Sequence, residues 1–142
     1  MPIIKEKLFK ISSHIENLND AGFCEGDVEK SALAYSGFFK IEENCFIISY
    51  KEKNEGGQTM SELTVFPDKV LLKKRGAVCS DIQFCENESH SSIYEVVPFR
   101  FDMTVVTKKI RNNLTKDGGT LDIHYEMNIG GQNKRLRLKI EI

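Results

Sequence analysis

The chain has 142 residues and carries 20 lysines and arginines against 21 aspartates and glutamates, a net charge of -1. A nearly neutral chain has no long-range field that attracts nucleic acid or an anionic membrane surface, and we expect neither partner. No apolar run approaches the roughly 20 residues that a membrane-spanning helix needs. Length and a hydrophobic fraction of 40% predict one globular domain over residues 1–142.

The first 13 residues, MPIIKEKLFKISS, alternate charged and apolar side chains and lack the continuous apolar segment of a secretory signal. We therefore expect a cytoplasmic location. The cysteines form no C-x-x-C pair and the three histidines stand far apart in the sequence, which predicts free thiols and no metal site. These residues are Cys24, Cys45, Cys79, Cys85, His14, His90 and His124.

In the first half of the chain, apolar and polar residues alternate with the period of two that is typical of strands. The predicted strands cover about residues 3–15, 28–40, 44–52 and 58–66, and polar turns separate them. Bulky side chains are expected on the inward face of the resulting sheet. They include Phe38, Phe46, Tyr50, Phe84, Tyr125 and Met127.

The stretch LLKKRGAVCSDIQF, residues 71–84, contains three successive cations and a glycine. Alternation predicts one long strand that bends at Gly76, with Lys74 facing inward and Lys73 and Arg75 facing outward. A hairpin at Gly76 is the alternative, and it would break this phasing. An inward Lys74 either anchors a ligand inside an apolar cavity or lies near a barrel mouth with its charge in water.

The last third gives the clearest strand pattern. LDIHYEMNI and RLRLKIEI each alternate throughout, and Gly130 and Gly131 between them predict a hairpin turn. Upstream, the apolar phase changes within PFRFDMTVVTKKI, which predicts a bulge near Val105–Thr107. KDGG, ending at Gly119, predicts the turn between these two regions.

About nine strands with short connections in this length predict an all-β fold in which consecutive strands pair antiparallel. Because each strand has one apolar face, a meander closed into a barrel of 8–10 strands buries that face and removes the sheet edges. A β-sandwich is the competing architecture.

No catalytic motif is present, so we expect neither an enzyme nor a cofactor. His90, within ESHSS, is interpreted as part of a turn, and His124 is expected to face outward without a partner. The alternation predicts a solvated face for the basic residues of the last strands, and those of the terminal strand could pair with acidic residues across it. The basic residues are Lys108, Lys109, Arg111, Arg135, Arg137 and Lys139.

Three segments in matching order, VLLKKRGAVCSDIQF, SIYEVVPFRFDMTVVTKKI and GGTLDIHYEMNIGG, resemble the YwiB-like proteins, small bacterial barrels of unknown function grouped with the calycins. The resemblance covers about Ser36 to the C-terminus. It implies an eight- to ten-stranded calycin-like (lipocalin-like) meander barrel and no established activity, cofactor or catalytic residue. The family arginine falls on Lys74 here. The family's turn after the tyrosine strand usually contains a glycine, where this chain has Val97, Pro98 and Phe99.

Two hypotheses about function follow. In the first, the protein is a non-enzymatic binder of a small apolar or anionic amphiphilic molecule inside the barrel. Its predicted site comprises Lys74 and Ser80 as polar anchors among Leu72, Val78, Ile82, Phe84, Tyr125 and Met127. In the second, a solid-cored barrel acts through its outer surface as a protein-interaction or assembly module. The sequence predicts no oligomeric state.

Overall fold

A computed structural model describes residues 3–26, 28–54 and 57–142 of the chain. Its ten strands are β1 (Ile3–Leu18), β2 (Glu29–Ile41), β3 (Phe46–Asn54), β4 (Gly57–Val65), β5 (Val70–Gly76), β6 (Ser80–Phe84), β7 (Ser89–Val96), β8 (Phe99–Thr115), β9 (Gly118–Ile129) and β10 (Gln132–Glu141). Within these described ranges there is no helix, and hence none long and apolar enough to cross a membrane.

The ten strands form one antiparallel sheet in the order β6-β5-β4-β3-β2-β1-β10-β9-β8-β7. Every pair of neighbours except β1 and β10 is consecutive in the chain, as a meander requires. The two outer strands meet where Cys79 and Glu95 exchange two backbone hydrogen bonds of 2.9 Å. The sheet is therefore a nearly closed barrel, which confirms the predicted fold class and excludes the sandwich.

Apolar side chains that alternate along the strands form a core inside the barrel. The most deeply buried include Phe9, Phe39, Ile48, Leu63, Val70, Phe84, Ile123 and Ile140, all of them fully buried. At roughly 25 cal/mol for each Å² of apolar surface removed from water, this core is the main source of stability. We call these eight residues the packed core.

The prediction of one long strand across Gly76 is wrong. β5 ends at Gly76 and β6 returns antiparallel beside it, so that Lys74 lies directly opposite Ser80. Gly76 has a φ of 129°, and a side chain there would collide with the Gln58 carbonyl oxygen. Both halves of the hairpin keep the same inward face, so Lys74 faces inward as predicted.

Three other details differ from the sequence prediction. Phe38 faces outward and is 49% exposed, because Gly37 and Phe39 occupy the inward positions of β2. His90 lies within β7, not in a turn, and its Nδ1 accepts a hydrogen bond of 3.3 Å from the Gln83 backbone N–H. The bulge of β8 falls between Thr107 and Lys109, slightly after the predicted position.

Candidate ligand-binding site

The two ends of the barrel differ in how far their inward-facing side chains are covered. In a meander, the turns after β1, β3, β5, β7 and β9 all lie at one end, which we call the open end. There Leu33, Phe99 and Phe101, which share the inward parity of buried residues on β2 and β8, are 54%, 62% and 39% exposed. Inward-facing side chains are therefore exposed to solvent at the rim of this end.

An ion pair lies on the inner wall near the open end. The Lys74 Nζ is 3.3 Å from the Glu52 Oε1, and the Ser61 hydroxyl donates to the same oxygen at 3.2 Å. The side chains of Lys74 and Glu52 are 24% and 19% exposed, so each charge is partly desolvated yet reaches water. The desolvation penalty of such a pair is smaller than that of a fully buried pair, because water still solvates both ions.

Strand register explains how these groups come together. Tyr50 of β3 lies opposite Ser61 of β4, Ser61 lies opposite Lys74 of β5, and Lys74 lies opposite Ser80 of β6. Glu52 follows Tyr50 by two residues and so points to the same side of the sheet. A row of polar side chains thus crosses four neighbouring strands inside the barrel.

Two serine hydroxyls in this region have no hydrogen-bond partner among the described residues. They are the Oγ atoms of Ser80 on β6 and of Ser92 on β7, and both atoms are buried. Ser80 as a whole is only 3% exposed. A buried hydroxyl without a partner costs about 1 to 3 kcal/mol, so each of these groups can gain from a polar ligand atom or a water molecule.

We call Glu52, Ser61, Lys74, Ser80 and Ser92 the polar wall. Three tyrosines border it: burial, followed by the negative charge of Glu52, raises the pKa of Tyr35, Tyr50 and Tyr94 above its ordinary value. All three phenols are therefore neutral at pH 7 and can donate a hydrogen bond.

Strands β8 and β9 supply apolar residues to the same end. Phe99 and Phe101 lie at the start of β8 with ring centroids 6.5 Å apart. Met127 and Ile129, near the end of β9, are half-buried and pack against the core. We call these four residues the apolar wall, and with the polar wall they give the open end one side of each character.

The residues predicted for the site divide into two groups. Lys74 and Ser80 lie on the polar wall, Met127 lies on the apolar wall, and Val78 is half-buried in the turn after β5. The remaining four fill the interior below the open end, where Phe84 and Tyr125 have ring centroids 4.8 Å apart. These four are Leu72, Ile82, Phe84 and Tyr125, none of them more than 8% exposed.

Glu52 is the main site residue that the sequence reasoning missed. It is the last residue of the predicted strand 44–52 and also lies in KEKNEGGQ, which reads as a polar turn, whereas β3 continues to Asn54. The period of two through Ile48 and Tyr50, extended by one step, would have placed Glu52 inside. Ser61 and Ser92 also lie on inward faces, but a serine in an alternating pattern gives no signal of its own.

The outer surface contains a second, better defined ion pair. Arg137 of β10 donates to both carboxylate oxygens of Asp122 on β9, at 3.0 and 2.7 Å. Hydrogen bonding to Arg137 holds the pKa of Asp122 below its usual range. The expectation that His124 has no partner is wrong, because its Nε2 lies 3.4 Å from Asp122. Arg135 likewise pairs with Glu16 across the neighbouring strand.

The other two cations of the stretch LLKKRGAVCSDIQF face outward as predicted. Lys73 is exposed, and Arg75 contacts both carboxylate oxygens of Asp81 at 3.0 Å. Of the three cations, Lys74 alone lies on the inner wall.

Fold and site define an antiparallel β-barrel with a polar cluster on the inner wall near one end. The model of the family described as "Domain of unknown function (DUF1934)" matches residues 15–142, and the chain belongs to this family. The uncharacterized β-barrel protein YwiB of Bacillus subtilis (strain 168) is 25% identical over 112 residues, 79% of each chain. The resemblance to the YwiB-like proteins is thereby confirmed.

A solved structure supports the same fold. The crystal structure of the ywiB protein from Bacillus subtilis matches with a TM-score of 0.77 and 22% sequence identity. The match covers 97% of this chain and 94% of that chain. The barrel architecture is thus shared, and the family carries no assigned activity.

Proposed function

We propose that the protein is a non-enzymatic binder of a small apolar or amphiphilic molecule, which enters the barrel at the open end. The observation that carries this proposal is the Ser80 hydroxyl, which is buried beside Lys74 without a partner among the described residues. A bound polar group would satisfy this hydroxyl and recover about 1 to 3 kcal/mol.

The shape of the interior limits the size of the ligand. Leu72, Ile82, Phe84 and Tyr125 fill the barrel below the polar wall, so the ligand would occupy only its open half. Small barrels of this kind hold either their own side chains or one small ligand, as lipocalins do. Here the packed core would form the floor, and the apolar wall would cover the hydrophobic part of the ligand.

The test is displacement of a fluorescent lipid probe, together with native mass spectrometry of protein purified from its own source. The Phe101→Asp variant places a charge on the apolar wall at an exposed position, so it should fold yet bind the probe roughly tenfold more weakly. Phe38→Asp is the matched control, because Phe38 is similarly exposed but lies on the outer face of β2.

Binding that Phe101→Asp weakens and Phe38→Asp leaves unchanged would support the proposal. If neither a co-purified molecule nor probe displacement is found, the protein does not bind such ligands and the proposal is wrong. Equal effects of both variants would place the binding outside the barrel, which also contradicts it.

A second candidate function, assembly through the outer surface, rests on one apolar patch. Ile4 and Leu8 of β1 and Phe38 of β2 are 61%, 66% and 49% exposed and share the outer face of neighbouring strands. Glu6 lies opposite Phe38 and Lys40 opposite Ile4, so the patch combines apolar side chains with charges of both signs. A second copy of the chain could present a complementary patch in a two-fold contact.

The oligomeric state tests this candidate. Light scattering coupled to size-exclusion chromatography should give the mass of a dimer for the wild type and of a monomer for Leu8→Asp. A wild type that stays monomeric at high concentration would refute assembly between copies. The same Leu8→Asp variant should bind the lipid probe normally, so the two candidate functions are separated.

A further inference from the structure

We propose that the head group of the ligand is uncharged and makes hydrogen bonds, as a hydroxyl or an ester of glycerol does. This inference rests on the proposed function and names the class of ligand that the site would take. It changes the expectation from the sequence, in which an unpaired Lys74 favoured an anionic amphiphile.

The first reason is that Lys74 already has a counter-ion. Its Nζ lies 3.3 Å from Glu52, and Ser61 donates to the same carboxylate oxygen. The polar wall therefore contains one positive and one negative charge and has no net charge. An anion approaching Lys74 would meet the Glu52 carboxylate, and a cation approaching Glu52 would meet the ammonium.

The second reason is the chemistry of the groups that remain to be satisfied. The hydroxyls of Ser80 and Ser92 can each donate one hydrogen bond and accept others. Neutral phenols of Tyr35 and Tyr94 border the same region. These hydroxyls both donate and accept hydrogen bonds. An uncharged head group that also does both matches them better than a carboxylate, which only accepts, or an ammonium, which only donates.

The third reason is that these hydroxyls lie on the strands of the polar wall that are nearest to the apolar wall. Cys79 and Glu95 form the bridge that joins β6 to β7, and Ser80 directly follows Cys79. Ser92 lies opposite Met103 of β8, two residues along the chain from Phe101. A head group that reached both serines would leave its chain against the apolar wall.

The experiment compares three probes that have the same alkyl chain and different heads: 1-dodecanoylglycerol, dodecanoate and dodecylamine. Each is titrated below its micellar concentration in a displacement assay and by calorimetry at pH 8, where dodecanoate is ionised. We expect the glycerol ester to bind roughly tenfold or more tightly than either charged probe, because it leaves the ion pair intact.

Variants test whether residues of the polar wall cause the preference for an uncharged head group. Ser80→Ala should weaken binding of the glycerol ester roughly tenfold, whereas Ser91→Ala should not, because Ser91 points to the outer face of β7. Lys74→Met should leave an unpaired Glu52 and make dodecylamine the preferred probe. Glu52→Gln should make dodecanoate the preferred probe. These two opposite reversals would support a charge-balanced site.

Tightest binding of dodecanoate to the wild type, lost in Lys74→Met, would overturn the inference and leave the proposed function intact. Equal binding of all three probes would also overturn it, because the protein would then not distinguish their head groups. If none of the probes binds, the proposed function itself fails. The failures of the two proposals are thus distinguishable.

Discussion

The inside of this barrel is mainly apolar in one half and mixed in the other. In the packed core, Phe9, Phe39, Ile48 and Ile140 are fully buried, and the buried Thr107 hydroxyl of β8 also lies inside the barrel. At the open end, the inner wall carries an ion pair, two buried hydroxyls without partners among the described residues, and exposed aromatic rings. The open end is the candidate site because its buried hydroxyls can still gain hydrogen bonds from a ligand.

The largest difference between the halves is expected when an aromatic ring is removed. Phe39→Ala should lower the free energy of unfolding by about 3 to 5 kcal/mol, because it leaves a cavity in the packed core. Phe101→Ala, at a ring that is 39% exposed, should cost less than about 1 kcal/mol. Urea denaturation measures both. Equal costs would show that the open end is packed as tightly as the core.

A smaller effect is expected from the outer ion pair, which serves as a reference for the inner one. Asp122→Asn should lower the free energy of unfolding by about 1 to 3 kcal/mol at pH 7, since it weakens two charge-assisted hydrogen bonds from Arg137.

The pH dependence of that effect has a defined sign. The pKa of Asp122 is lowered in the folded protein, so its contribution is present above the unfolded pKa of about 4 and is lost as the pH falls through the folded value. The difference between wild type and Asp122→Asn should therefore shrink towards pH 3. A difference that is constant from pH 7 to pH 3 would refute a role for the carboxylate charge.

The inner ion pair is expected to contribute less than the outer one. Lys74→Met and Glu52→Gln should each cost about 1 kcal/mol or less, because the single contact of 3.3 Å is longer than the two hydrogen bonds that join Arg137 to Asp122. A double-mutant cycle measured by urea unfolding isolates the pairwise part. A coupling energy larger than that of Asp122 with Arg137 would mean that the inner pair is mainly a structural element.

The smallest effect, and the one that separates a site from a core, concerns two buried serines. Ser61→Ala should cost about 1 kcal/mol, because the Ser61 hydroxyl donates to Glu52. Ser80→Ala should be neutral or slightly stabilising, because the hydroxyl it removes has no partner among the described residues. Thermal unfolding in the absence of ligand compares them. A clear loss of stability in Ser80→Ala would show that its hydroxyl is already satisfied.

The sequence predicted most of the barrel and only part of the site. Alternation places a residue on one face of a strand or the other. This parity correctly predicted that Lys74 and Ser80 face inward, even though a hairpin at Gly76 replaced the predicted long strand. It misplaced Phe38, because the glycine beside it, Gly37, is the inward residue.

The rest of the site depends on distance between strands, which periodicity does not contain. The Lys74–Glu52 pair joins β5 to β3 across β4, and its geometry follows from the register of two hairpins. That Ser80 and Ser92 lack partners among the described residues follows from what surrounds them in the closed barrel. Neither fact can be read from a strand considered alone.

The most direct test of ligand binding at the open end is an NMR titration of the isotope-labelled protein with 1-dodecanoylglycerol. If the ligand enters as proposed, the backbone amide shifts should change at Glu52, Ser80, Ser92 and Phe101. They should stay unchanged at outer-face positions such as Leu8 and Phe38. Changes confined to β1 and β2, or no change at saturating probe, would contradict binding inside the barrel.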